Sequence, residues 1–321
     1  KLKSSGPVKI ALLPFGSAGD VLPFLWLARH LRAAGHEPLL ITASLFQKAA
    51  DAAGIPMRPI GNDAEFESLM RDPRIWKMGT GTKAVFEYAA QAAGQYYEAL
   101  AAHCAESGPP DLLLAPVTAF GARIAREKWG IPLISVHLQP AVILSAHDTP
   151  IIFPAIHPLL RLLPSGLKSF LFRYGPNPLD LFAGPALRRL CTTLQVSAPG
   201  SFFRDWWDSL DGSMLLFPEW FAPPQPDWPS PRLQTTFPLE DLAKENPLSP
   251  ELQSFLARHW EHPPVVFTAG SANVQASAFF ATAASALARI GKPGVFITRD
   301  LSQLPASLPA TIHAEPYVAF S

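Results

Sequence analysis

Val8-Lys9-Ile10-Ala11-Leu12-Leu13-Pro14-Phe15-Gly16-Ser17-Ala18-Gly19-Asp20-Val21-Leu22-Pro23-Phe24 decides the fold class. Val8 to Pro14 is an apolar run bounded by Gly16 and Gly19. Behind it Val21, Leu25, Ala28 and Leu31 recur at helical spacing until Gly35 can end the helix. The stretch predicts strand, tight turn and helix. Pro38 to Thr42 reads as a second strand. Ser44 with Gln47 forms a capping-box pattern for a short helix that Gly54 closes before a third strand, Met57 to Ile60. Strands alternating with helices imply a parallel sheet, so the class is α/β and doubly wound.

The same rhythm returns further along. Asp111 to Ala115 and Pro132 to His137 read as strands on either side of a helix from Thr118 to Gly130. Residues 138–186 break the pattern with prolines at 140, 150, 154, 158, 164, 176, 178 and 185, which argues against regular packing there. Met214 to Phe217 and Leu233 to Phe237 look like the last strands of a first domain over 1–237. A Pro-rich linker, 238–250, follows. Val265 to Ala269, a helix from about Gln275 to Ile290, Gly294 to Thr298 and Thr311 to His313 then restart the alternation in a second unit, 251–321. That restart has too few strands for a finished domain of this kind. Strand-Gly-Ser-helix occurs twice, at Gly16-Ser17 and Gly270-Ser271, an architectural duplication.

Bulk properties exclude several classes. A chain of 321 residues that is 48% hydrophobic can build two cores. Its 26 basic and 26 acidic side chains cancel, so no net field would hold nucleic acid. Cys104 and Cys191 lie far apart with no second pair, which rules out a disulfide framework or four-cysteine zinc site and fits a reducing cytoplasm. Every apolar run is interrupted before the roughly 20 residues that span a bilayer. Lys1 to Gly6 lacks the apolar core of a signal peptide. The expected place is the cytoplasm, with peripheral attachment to the inner membrane compatible with it.

Ligands of doubly wound sheets bind beyond the carboxyl ends of the strands, which puts Phe15 to Asp20 where chemistry is expected. A structural reading competes: Asp20 suits a helix N-cap and Pro23 a first turn. A nicotinamide or flavin site would need G-x-G-x-x-G and an acid at the end of the second strand. Here the spacing is G-x-x-G and that strand ends at Thr42. Val266 to Ser271 is a second strand running into a small-residue turn that can offer N–H groups and a hydroxyl to phosphate. Gly79-Thr80-Gly81-Thr82-Lys83 lacks the Gly-Lys-Ser/Thr order and a preceding strand, so it reads as a loop leading into a helix. No G-x-S-x-G, H-E-x-x-H, C-x-x-C or Asp-x-Asp occurs. His137, His147 and His157 follow a ten-residue interval that has no metal-ligand logic.

Gly16-Ser17-Ala18-Gly19-Asp20-Val21-Leu22-Pro23-Phe24 resembles the opening of bacterial family 1 glycosyltransferases. Val266 to Ser271 and Tyr317-Val318-Ala319-Phe320-Ser321 are similar to that family's F-T-x-G-S and Y-V-P-F-S segments. Four further pieces resemble the rhamnosyltransferase branch of rhamnolipid biosynthesis. They are Asp72 to Trp76, Gly121 to Ala125 with Gly130 to Pro132, Leu144 to His147, and Phe217 to Gln225 with Asp227 to Pro229.

The resemblance implies a GT-B architecture of two Rossmann-like domains, the second incomplete over this chain. It implies an inverting, metal-independent transfer with no cofactor. The donor would be a nucleotide sugar, dTDP-L-rhamnose, and the acceptor a hydroxyl on an apolar, lipid-like molecule such as a hydroxyalkanoyloxyalkanoate. A polyketide, sterol or carotenoid alcohol, or a non-catalytic helper role, are the alternatives. Asp20 would be the catalytic base. Gly16, Ser17, Gly19, Thr268, Gly270, Ser271, Tyr317 and Val318 would contact the donor, and Trp76, Phe86 and His147 the acceptor. The family's His-Gly-Gly or Pro-Gly-Gly turn and its Asp-Gln pair do not occur here, so the chain would stop before them. Plant relatives back a histidine base with an aspartate; here Ala115-Pro116 stands near that position, and Asp20 would act without such a partner.

Overall fold

The computed structural model describes residues 6–77, 80–151, 156–238, 247–270 and 273–318. The apolar run becomes β1 (Lys9–Leu12) and the helix behind it α1 (Ala18–Ala33). β2 (Glu37–Ala43), α2 (Gln47–Ala52), β3 (Met57–Ile60), α3 (Asp63–Arg71) and the long α4 (Gly81–Ser107) follow. β4 (Leu112–Ala115), α5 (Phe120–Trp129) and β5 (Leu133–His137) continue the alternation. Helices α6 (His157–Leu162), α7 (Ser165–Tyr174), α8 (Pro178–Phe182), α9 (Gly184–Thr193) and α10 (Phe202–Asp205) then precede β6 (Ser213–Leu215) and β7 (Arg232–Gln234).

These seven strands form one parallel sheet in the order β3-β2-β1-β4-β5-β6-β7. Alternation along β1 divides its side chains between two layers. Ile10 and Leu12 pack with Phe24, Leu25 and Ala28 of α1. Ala11 and Leu13 face Ala93, Tyr96 and Leu100 of α4 and Phe120 and Ile124 of α5. A Cβ at Gly121 would stand 2.6 Å from the Ala93 carbonyl oxygen, so this glycine lets α4 and α5 touch.

A second sheet is smaller. It follows α11 (Pro250–Arg258) and consists of β8 (Val265–Thr268), α12 (Ser277–Ile290), β9 (Gly294–Ile297) and β10 (Ile312–Glu315), ordered β10-β9-β8. The order repeats β3-β2-β1, although α12 begins at Ser277, several residues beyond Gly270, where α1 follows Ser17 directly. Phe280 and Leu287 of α12 close over Phe296, while Leu252 and Phe255 of α11 cover Val295 on the other face. No helix among the described residues is long and apolar enough to cross a membrane.

Three local expectations are corrected. Ser17, not Asp20, is the N-cap of α1, and Pro23 lies inside the helix. The Ser44/Gln47 pattern does not open α2: a 3-10 turn over Ser44–Phe46 leads into it. The Pro-rich stretch is more regular than expected, because Pro158, Pro178 and Pro185 occupy the first positions of α6, α8 and α9. There a missing N–H breaks no helical bond.

Candidate active site

The turn after β1 is held from below. Thr42 Oγ1 donates to the Pro14 carbonyl at 3.2 Å, and the buried Tyr96 hydroxyl donates to the same oxygen. Burial pushes the Tyr96 phenol up, so it stays a neutral donor. Gly16 then adopts φ +133°, a conformation that suits glycine. The Asp20 carboxylate folds back over it. Its Oδ2 accepts from the Ser17 N–H at 2.7 Å and from the Ser17 hydroxyl at 3.1 Å. The acid is therefore the N3 member of a capping box and lies over the turn. Oδ1 has no hydrogen-bond partner among the described residues. Burial raises the Asp20 pKa above the ordinary carboxylate value, against the opposing pull of the two Ser17 bonds. A carboxylate so placed is more basic than a solvated one.

Asp20 lines a cleft of about 780 Å³. The strand order reverses between β1 and β4, and both the Phe15–Ser17 turn and the Pro116–Thr118 turn after β4 line the cavity. That is the switch point at which doubly wound sheets bind ligands. The opposite wall is Ile75-Trp76-Lys77. Arg74 fixes this segment by bonding Asp72 Oδ2 through Nη2 at 2.7 Å, and Tyr88 adds a bond to the same oxygen at 3.0 Å. Chiefly through the Arg74 bonds, the Asp72 carboxyl is held down at about 2. Phe86 reaches the cleft from the core, with its ring against Phe120, Phe203 and Trp207.

Trp207, which the sequence did not single out, forms another part of the wall. Its Nε1–H donates to the Val142 carbonyl at 2.6 Å. Its own carbonyl accepts from the buried Arg123 at 3.0 Å, and Arg123 also donates to Ser135 Oγ at 2.7 Å. Burial lowers the Arg123 pKa to about 10, with Asp208 opposing. Beyond Leu138, the Ser145 hydroxyl donates to Asp227 Oδ1 at 2.7 Å and the Ala146 N–H to Oδ2 at 2.6 Å. Two sequence segments noted separately are thus fastened together. A second cavity, about 690 Å³, shares Phe15, Gly16 and Leu69 and is lined by Tyr88, Gln91 and Gln95.

Of the expected acceptor residues, Trp76 and Phe86 line the cleft. His147 is exposed and does not line the cleft, and its backbone N–H donates to Ser145 Oγ at 3.1 Å. The Ser145–Asp227 fastening turns the 145–148 bend outward. Of the expected donor residues, Gly16 and Ser17 line the cleft while Gly19 is exposed. At the end of β8, Thr268 Oγ1 accepts from the Gly270 N–H at 3.2 Å, and Gly270 has φ +88° with open space around its Cα. Tyr317 and Val318 line a separate hollow of about 330 Å³ against the start of α11. β9 lies between the two groups. Ser271 and residues 319–321 lie outside the described residues.

The chain matches solved glycosyltransferases over nearly its whole length. The calicheamicin glycosyltransferase CalG4 superposes with a TM-score of 0.61 at 18% identity, covering 98% of this chain and 72% of that one. The fold is GT-B. The glycosyltransferase SsfS6 of Streptomyces sp. SF2575, in complex with thymidine diphosphate, aligns with a TM-score of 0.58 at 15% identity over 96% of this chain and 72% of that one. In sequence, the glycosyltransferase family 28 N-terminal domain profile matches residues 10–147, the part of this GT-B chain that carries Asp20. A sterol 3-beta-glucosyltransferase from Kluyveromyces lactis is 40% identical over 79 residues, which are 24% of this chain and 6% of that enzyme. The shared stretch is thus a small part of that relative.

Proposed function

We propose that this chain is the acceptor-binding part, with a portion of the donor-binding part, of an inverting, metal-independent glycosyltransferase. Its sugar would be a deoxyhexose, L-rhamnose from dTDP-L-rhamnose, and its acceptor a hydroxyl on an apolar lipid. The observation that carries the proposal is the half-buried Asp20 carboxylate at the mouth of an apolar cleft on the switch point of a GT-B sheet.

An alcohol does not ionise at neutral pH, so its attack needs a base. The acceptor oxygen forms a bond to the anomeric carbon as the bond to the diphosphate oxygen breaks. The leaving diphosphate takes that electron pair, and Asp20 Oδ1 takes the hydroxyl proton. Attack opposite the leaving group inverts the anomeric centre. Charge growing on the diphosphate calls for backbone donors, and the turn at Gly270, after β8, is the place where this chain would offer them. Thymidine diphosphate in a solved relative supports a nucleotide-sugar donor. The absence of Asp-x-Asp supports a metal-independent route. The local identity to a sterol 3-beta-glucosyltransferase favours a second reading, the same chemistry on a sterol-like alcohol.

The deciding experiment incubates purified full-length enzyme with several nucleotide sugars against hydroxyalkanoyl lipids, sterols and polyketide alcohols. Product mass and the anomeric coupling constant identify sugar, acceptor and stereochemistry. No transfer to any apolar alcohol, or retention at the anomeric centre, removes the proposal.

A further inference from the structure

Helix α7 is amphipathic the wrong way round for a soluble surface. Leu167, Phe170, Leu171 and Tyr174, spaced i, i+3, i+4 and i+7, are 46%, 58%, 37% and 63% exposed. The buried residue of the helix is Lys168, whose Nζ donates to Thr149 Oγ1 at 3.2 Å. Leu159 and Leu162 of the preceding α6 are 64% and 82% exposed, so the apolar surface continues across both helices. Scattered exposed leucines need no explanation, but a contiguous patch does. Charge points to what covers it. From Thr149 to Leu179 the sequence has no acidic residue, while Arg161 and Arg173 stand exposed beside the apolar stripe.

We propose that the α6–α7 face docks on the surface of an anionic phospholipid bilayer, with the apolar side chains in the acyl boundary and the arginines at the phosphates. Interfacial helices combine these two features. The face also adjoins the candidate active site. Leu160, Leu171 and Phe172 line a pocket of about 240 Å³ whose wall includes Trp207, and Trp207 lines the Asp20 cleft as well. Ile151, which borders the same cleft, is 64% exposed. The α6–α7 face thus adjoins the cleft, with Trp207 standing as a common wall between the two hollows. This rests on the lipid-acceptor reading for its purpose, but the docking itself does not.

The test is flotation of the full chain with phosphatidylcholine vesicles, with and without phosphatidylglycerol. The wild type floats with the anionic vesicles and is released by added salt. Leu162→Glu with Phe170→Glu reduces the bound fraction at least about ten-fold, since two burials are lost, and its melting temperature stays unchanged because both side chains face solvent. Equal flotation of the variant, or a wild type that ignores anionic vesicles, overturns the proposal. So does concentration-dependent self-association that the variant abolishes while vesicles go unbound. Transfer to a short, water-soluble acceptor is measured in parallel. Absence of transfer alongside normal flotation sinks the activity reading and leaves the docking surface standing.

Discussion

The Asp20 carboxylate lies where the first side-chain carbon of any residue but glycine at position 16 would have to begin. Gly16 is therefore needed twice, for its φ of +133° and for the space above it. Gly16→Ala should cost roughly 1–3 kcal/mol of stability from strain. By displacing the carboxylate it should also lower turnover on the order of a hundred-fold. Thermal melts and steady-state kinetics check both; a variant with unchanged melting and rate would show that Asp20 does not need its observed place.

Asp20→Asn keeps the Ser17 cap and removes the proposed base. Turnover should fall by on the order of a hundred to ten thousand-fold. The pH profile carries the sharper signature. Because the folded-state pKa is raised, the acid limb of kcat/KM in the wild type should lie above the ordinary carboxylate range. Stability should move the opposite way: the folded state holds the proton more tightly, so wild-type stability falls as pH rises from the unfolded value through the raised one. The Asn variant should lack that slope in denaturant titrations across the window. A slope that persists assigns it to another group.

The strand-turn-helix units were legible because each is local: a short apolar run, a glycine, then a 3.6-residue period. The proline-rich helices were not, since a proline reads as a breaker unless its place in the first turn is known, and that place follows from where each helix starts. Asp20 was seen as a helix-starting residue, but Ser17 three residues earlier took the cap and left the acid at N3. Trp207 could not be read at all, and Arg123 only as a member of the resembling stretch Gly121 to Ala125: what ties the two to the site is a set of bonds, Trp207 to Val142 and Arg123 to Trp207, across distant parts of the sequence. The exposed place of His147 was not legible because its neighbour Ser145 is tied to Asp227, a residue that no local pattern connects with it.

Asp227→Ala should release that tie. It removes two bonds to a charged acceptor, each worth about 1.5–3 kcal/mol in comparable settings. The Ala146 amide should then exchange hydrogen faster, and KM for the acceptor should rise more than KM for the donor. Hydrogen exchange by mass spectrometry and paired kinetics test this. Unchanged protection at Ala146 would mean the bond contributes nothing to the wall.

Trp207→Phe retains an aromatic ring near Phe86 and Phe203 but removes the bond to the Val142 carbonyl. Stability should drop by about 0.5–1.5 kcal/mol, and affinity for long-chain acceptors should weaken while short ones are affected less. If chain length makes no difference, Trp207 is a core residue that merely borders the cleft.

The Ser145–Asp227 pairing also constrains how parts can be exchanged between relatives. Its two ends are 82 residues apart and enclose the helices from α6 to α10. A chimaera with one breakpoint between them would mate a foreign hydroxyl bend with a native carboxylate, leaving a charged group without its donors at the edge of the sheet. Breakpoints outside both residues move the fastener together with the wall it holds. Acceptor range should then transfer as a single block, inherited whole or lost whole.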